Sequence, residues 1–168
     1  MSDGIIISDY NAEWPDLFIK EKSLILSETG KSLLSLDHIG STSIPGLAAK
    51  PVIDMLGCIE KFSLDPDCLA PLLRLGYEYK GEHGIPERLF FSKQTNGMRS
   101  HHLHVVQQGN PFWDEHILFR DYLRANPEIA QNYENLKRDL AQKFHNDRLA
   151  YVNGKDEFIK NVLRTAKL

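Results

Sequence analysis

Cysteine is scarce in these 168 residues: Cys58 and Cys68 are the two present, separated by nine residues. They form no Cys-x-x-Cys pair, which speaks against a zinc site or a disulfide and for free thiols in a reducing compartment. Long hydrophobic runs are missing too; nothing approaches the ~18 consecutive apolar residues of a membrane span. The opening MSDGIIISDY has neither a basic region nor a long apolar stretch, so no signal peptide is expected. Positive charge is in deficit: 20 Lys and Arg stand against 23 Asp and Glu, a net charge of −3. That balance argues against broad binding to nucleic acid or anionic membrane and leaves room for a local basic pocket. No repeat or low-complexity segment interrupts the chain. The expectation is a cytoplasmic protein with no nucleic-acid or membrane partner.

With 42% hydrophobic and 26% charged residues the composition is that of an ordinary globular protein. The length suits one domain over residues 1–168, with a sheet-rich core to about 108 and a helical part from about 109.

The chemistry is densest in HIGSTSIPGLAAKPVIDML, His38 to Leu56. It reads as a strand (Ser35 to Ile39), a small-residue turn, and a second strand running to about Ile59. Gly40 lets the backbone turn where a side chain would clash. Ser41, Thr42 and Ser43 offer hydroxyls and backbone N–H groups at a helix start, which suits a phosphate. Lys50 adds a point charge for the same anion. Pro51 stops any helix, so Val52 begins afresh as an extended run. Asp54 then stands inside an apolar strand, where an acid needs a partner or a metal. The alternative is an ordinary helix cap with Asp54 as a buried structural acid. His38 either bonds the turn backbone or acts directly.

Elsewhere the pattern alternates helices and strands. Ile5-Ile6-Ile7 has strand character. Asn11 is placed to cap a helix carrying Trp14, Leu17, Phe18, Leu24 and Ile25, with Glu21 and Lys22 on its solvated face and Gly30 as its stop. Asp65-Pro66-Asp67 opens a leucine-rich helix that ends at Gly76, and Tyr77 to Lys80 alternates as a strand. Glu87 to Phe91 is the next strand, with Arg88, Phe90 and Ser92 on one face. Arg88 suits phosphate or carboxylate, or else a surface ion pair. Asn96-Gly97 marks a hairpin. In the strand that follows, His102 and His104 share a face with Val106, and His101 faces the other way. Two imidazoles on one face suit metal ligation, acid–base chemistry, or plain bonds to carbonyls. Asn110-Pro111 and Asn126-Pro127 open two helices; Ile129, Tyr133, Leu136, Leu140 and Phe144 form a stripe on the second. His145-Asn146-Asp147 breaks it, Asn153-Gly154 reads as a turn, and a last helix starts at Asp156. Arg120 and Arg124 lie one turn apart, as a basic face or a solvated one paired with Asp121.

Gly40-Ser41 with an acid 13 residues after the serine resembles the Gly-Ser…Asp-x-Asp/Glu signature of the nucleotidyltransferase superfamily. The full motif resembles the core of the GrpB family, which is known alone and fused to dephospho-CoA kinase. Further segments match that family: Tyr10 to Pro15, Gly84 to Phe90 around Arg88, His102-Leu103-His104-Val105-Val106, Phe119 to Arg124, Tyr133 with Lys137, and Tyr151 with Lys155. The His-x-His also resembles the histidine-triad hydrolases, but Val106 stands where their third histidine belongs.

The GrpB resemblance implies an α+β fold, a nucleotidyltransferase-like mixed sheet flanked by helices with a helical C-terminal third. It implies a site in which Gly40, Ser41, Thr42, Lys50, Arg88, Lys137 and Lys155 bind a nucleotide or phosphorylated metabolite, with Asp54, His104 and His102 as catalytic groups. The superfamily's second acid falls at Leu56, so its two-metal cluster is incomplete. A single divalent ion on Asp54, His102 and His104 is the expected cofactor. Two functions follow: metal-dependent nucleotidyl or phosphoryl transfer, or a binding module for a nucleotide or CoA precursor that turns nothing over.

Overall fold

The computed structural model describes residues 4–63 and 65–168. Among these residues five strands form one mixed sheet: β1 (Ser35–Ile39), β2 (Ile53–Ile59), β3 (Tyr77–Tyr79), β4 (Arg88–Thr95) and β5 (Met98–Gln107). Their order is β1-β2-β5-β4-β3. The central pair β2–β5 is parallel and the others antiparallel. Six helices surround them: α1 (Trp14–Thr29), α2 (Pro66–Arg74), α3 (Pro111–Ala125), α4 (Pro127–Lys143), α5 (Arg148–Gly154) and α6 (Asp156–Ala166).

Local chemistry sets most boundaries. Pro stands in the first turn of α1, α2, α3 and α4, where its missing N–H costs nothing. Asp65 and Asn110 cap α2 and α3 by accepting from Asp67 N and Phe112 N, each at 2.9 Å. Asn96 and Gly97, with φ of 55° and 77°, make the two-residue loop that joins β4 to β5.

The sheet divides two cores. On one face Met55, Leu103, Val105 and Phe91 pack with Trp14 and Ile25 of α1 and Leu72 of α2. On the other, Ile39, Leu56 and Val106 meet Phe112, Trp113 and Ile117 of α3. A third cluster joins Ile44 and Leu47, after the Gly40 turn, to Leu123, Tyr133 and Val162 of the C-terminal helices. Truncating a fully buried Ile25 or Leu72 to Ala removes about 2–5 kcal/mol. Within β2 every residue is buried except Asp54.

Four expectations need correction. Ile5 to Ile7 form no strand; Ser8 makes one bridge, to Ala49, and Ile6 is exposed. Glu21 is not solvated: it is buried and accepts from Tyr77 Oη at 2.7 Å and Lys93 Nζ at 2.8 Å, while Leu17 and Leu24 take the outer side of α1. An unexpected helix, α5, fills residues 148–154, because Asp147 accepts from Ala150 N at 3.1 Å as its cap. Gly154 belongs to that helix rather than to a free turn: a Cβ there would lie 2.5 Å from Leu140 Cδ2. On α4 the buried face is Ala130, Tyr133, Lys137 and Ala141, so a lysine sits in the middle of the apolar stripe.

Candidate functional site

Asp54 faces the turn that leaves β1. Gly40 holds φ 72° and ψ −176°, and a Cβ on it would stand 2.8 Å from Asp54 Oδ2. Glycine is therefore required twice, by conformation and by the approach of the carboxylate. The turn is gripped from outside. Ser43 N returns to Gly40 O at 3.1 Å. Arg124 donates twice to Ser43 O, at 3.0 and 2.7 Å, and Arg120 donates to His38 O at 3.0 Å. Those two arginines thus hold backbone carbonyls, a use that one-turn spacing on a helix could not reveal. His38 lies 2.9 Å from Thr42 Oγ1 and stacks on Phe18. Burial pulls its imidazole down to about 4, so it is neutral and structural, bonding the turn's hydroxyl instead of its backbone.

The strand register brings the acid and the histidines together. Asp54 on β2 is paired with Ile39 on one side and His102 on the other, and Leu56 with His104. His102 Nδ1 lies 3.4 Å and His104 Nε2 3.6 Å from the same oxygen, Asp54 Oδ1. Burial works against charge on Asp54, but the two imidazoles outweigh it and hold the carboxyl well below the usual range. The Asp54 side chain keeps 32% of its surface exposed. Leu56, by contrast, is wholly buried against Ile39 and Val106. The missing second acid is a core residue here.

Arg88 is buried, not an exposed ion pair. Its Nη1 meets His104 Nδ1 at 3.2 Å and its Nη2 donates to Glu82 O and His83 O, both at 3.1 Å. Its Nε is a buried donor with no partner among the described residues. A guanidinium only donates, so Nδ1 of His104 must carry the lone pair and Nε2 the proton, turned toward Asp54. A neutral His104 binding a metal through Nε2 would put its proton against Arg88 instead. Among the described residues no group of three or more His, Cys, Asp or Glu side chains is arranged to hold a metal. Asp54 and His102 remain as two donors, an incomplete set.

These groups line a cavity of about 790 Å³. Gly40, Ser41, Thr42 and Lys50 form one wall; Arg88, His102 and His104 lie on the sheet side; Lys137, Tyr151 and Lys155 close it from the C-terminal helices. All ten site residues expected from the sequence border this space. Lys137 is 2% exposed and its Nζ lies 2.8 Å from Ser41 Oγ and 2.5 Å from Ala48 O. Lys50 and Lys155 stand 5.3 and 4.7 Å from the Tyr151 ring centroid. Neither is in an ion pair or a hydrogen bond among the described residues. Burial and then the charge of Lys50 pull Lys155 down to about 8. Sequence reading missed His116, stacked on Phe112 at 3.9 Å, and Tyr133, one turn before Lys137. The Tyr-x-x-x-Lys spacing was the available signal for Tyr133; nothing marked His116.

The GrpB protein family model matches residues 4–165. The chain belongs to the GrpB family. UPF0157 protein YqkA of Bacillus subtilis is 43% identical over 158 residues, 94% of this chain and 46% of that protein, so the chain spans under half its length. Glutamate-rich protein GrpB of Alkalihalophilus pseudofirmus is 37% identical over 95% of this chain and 94% of its own. The dephospho-CoA kinase of Mycolicibacterium paratuberculosis is 26% identical, covering 92% of this chain and 44% of that protein. Among solved structures, GrpB from Enterococcus faecalis superposes with TM-score 0.87 and 37% identity over 96% of each chain. Cid1 poly(U) polymerase, in its MgGTP-bound structure, covers 81% of this chain and 44% of its own at TM-score 0.55 and 16% identity. That likeness is one of fold: this GrpB-family chain has a nucleotidyltransferase-like fold.

Proposed function

We propose that this protein binds a phosphorylated small molecule of the nucleotide or CoA-precursor class in the 790 Å³ cavity. The observation that carries the proposal is the cationic wall beside the Gly40 turn. Lys50 and Lys155 project there with no ion pair among the described residues, and Lys137 stands behind them. Burial lowers the proton affinity of all three amines, the charge of Lys50 lowers that of Lys155, and the charges of Lys155 and Lys50 lower that of Lys137; a bound anion relieves that repulsion. Gly40, Ser41 and Thr42 border the same space, and backbone N–H groups and hydroxyls are donors of the kind phosphates take.

Thermal unfolding of purified protein with ATP, CoA precursors or pyrophosphate tests this. A ligand at 100 times its Kd stabilises the fold by about 2.7 kcal/mol. For a chain of this size that raises Tm by roughly 5–10 °C. No shift with any phosphorylated compound overturns the reading.

A second reading, metal-dependent phosphoryl or nucleotidyl transfer, is favoured by Asp54, an ionised carboxylate open to the same cavity. Asp54 and His102 would hold a divalent ion, and the ion would neutralise phosphate charge. His104, committed to Arg88, would stay outside its ligands. A ligand-induced shift that needs Mg²⁺ or Mn²⁺ and vanishes in Asp54→Ala supports this reading; a metal-independent shift with no product formed removes it.

A further inference from the structure

Lys137 is placed unlike a simple surface cation. Its amine is buried against the turn, 2.8 Å from Ser41 Oγ and 2.5 Å from Ala48 O. Ser41 opens on the cavity and Lys137 reaches it from behind. A neutral amine in this position donates to the Ala48 carbonyl and keeps its lone pair for the Ser41 hydroxyl proton. The groups facing it are Lys155 and Lys50 across the cavity wall, Tyr133, Glu134 and Arg138 on its own helix, and Tyr151 on α5. Glu134 is occupied, accepting from Ala48 N at 2.7 Å and meeting Arg138. Burial, and then the charge of Lys155, bring the Lys137 amine down to about 7, so both protonation states are populated at neutral pH. A hydroxyl within hydrogen-bond reach of such a base, on the wall of a cavity, has the geometry of an activated nucleophile.

We propose that Ser41 is a nucleophile deprotonated by Lys137, and that it takes a phosphoryl group from the ligand bound in this cavity. The identity of that ligand rests on the binding reading above; the reactivity of Ser41 does not. In the step, Ser41 Oγ forms a bond to phosphorus while the bond from phosphorus to the leaving oxygen breaks. The hydroxyl proton passes to Lys137 Nζ, and the leaving oxygen departs with the bonding electron pair. Lys50 and Lys155, on the same wall, offset the charge on the phosphoryl oxygens. The departing oxygen takes its proton from solvent in the cavity, and Lys137 returns its own proton to Ser41 Oγ when the serine is restored. Water, attacking the phosphoserine, releases phosphate and restores the hydroxyl.

Diisopropyl fluorophosphate tests the nucleophile directly. This reagent is uncharged and needs no cationic wall; its P–F bond breaks as the Oγ–P bond forms. Intact mass and peptide mapping are expected to give one adduct, on Ser41. Its rate is expected to rise about tenfold from pH 6 to pH 8, with a midpoint near 7. Ser41→Ala abolishes the adduct and Lys137→Met slows it at least about 100-fold. Lys137→Arg keeps the charge and the donors to Ala48 but cannot take the proton, so it decides the matter if Lys137→Met fails to fold. No Ser41 adduct, a flat pH profile, or full reactivity in Lys137→Arg overturns the proposal. Ligand binding without labelling removes the nucleophile and leaves the binding reading; labelling without binding does the reverse.

Discussion

Gly40→Ala is the most exposing perturbation of the turn. The residue sits at φ 72°, ψ −176°, a region that only glycine visits readily. Holding another residue there costs about 1–3 kcal/mol. The new Cβ would also stand 2.8 Å from Asp54 Oδ2 and 3.1 Å from Asp54 Cβ. The carboxylate would have to swing away from His102 and His104, adding about 1–2 kcal/mol of local repacking. The sum is a loss of roughly 2–5 kcal/mol. Urea unfolding, with a slope of about 1–3 kcal/mol per molar, should therefore show the midpoint falling by about 0.7 M or more with little change in slope. A double-mutant cycle with Asp54→Ala isolates the clash, since that change removes the nearer of the two contacts and should recover about 1 kcal/mol. A cost below about 0.5 kcal/mol for Gly40→Ala, or strict additivity in the cycle, would refute the close packing of turn and acid.

Leu56→Asp, which writes in the superfamily's second acid, should destabilise by about 3–5 kcal/mol in urea melts, because the position is a sealed core site and not an empty ligand place. A tolerated aspartate there would contradict the packing of Ile39, Leu56 and Val106. Arg124→Ala withdraws both donors from Ser43 O and should cost about 1–2 kcal/mol, with weaker phosphate binding as the turn loosens. The Lys137 amine titrates near 7 in the fold and near 10.4 in the unfolded chain, so between those values the unfolded state holds more protons. Wild-type stability relative to Lys137→Met should rise as pH is raised through that window; urea melts at pH 7, 8 and 9 check the sign, and a flat difference would show that the buried amine stays charged.

The fold was largely legible in the sequence because its boundaries are written in local chemistry. Pro15, Pro66, Pro111 and Pro127 mark helix starts, Asn96-Gly97 marks the hairpin, and alternation sorts His102 and His104 from His101. The nearness of Asp54 to the two histidines was legible only in part. Alternation gives the face, but which strand neighbours β2 is decided by long-range pairing. The errors share one cause. Glu21 lies at a polar position of a helical pattern, yet it is buried because Tyr77 and Lys93, 56 and 72 residues away, meet its carboxylate; Lys137, expected at the site from the family resemblance, is likewise buried, against Ser41. A periodicity argument assigns such residues to solvent, since it sees only their own helix. Arg120 pairs with Asp121 at 2.9 Å, as one reading of the helix had it, but its bond to His38 O and those of Arg124 to Ser43 O were not legible, because backbone acceptors leave no trace in a side-chain pattern. The Ile5 to Ile7 run failed as a strand because no continuous edge is offered to it beyond Ala49.

The central claim is that the Lys50–Lys155 wall receives a phosphate, and titration calorimetry with ATP tests it most directly. Wild type should bind with a measurable heat that weakens as salt is raised. Two lost charge-assisted contacts at about 1.5–3 kcal/mol each predict that the Lys50→Ala/Lys155→Ala double variant binds at least 100-fold more weakly while remaining folded. Equal affinity in the two proteins, or no binding by wild type of ATP, a CoA precursor or pyrophosphate, would contradict it.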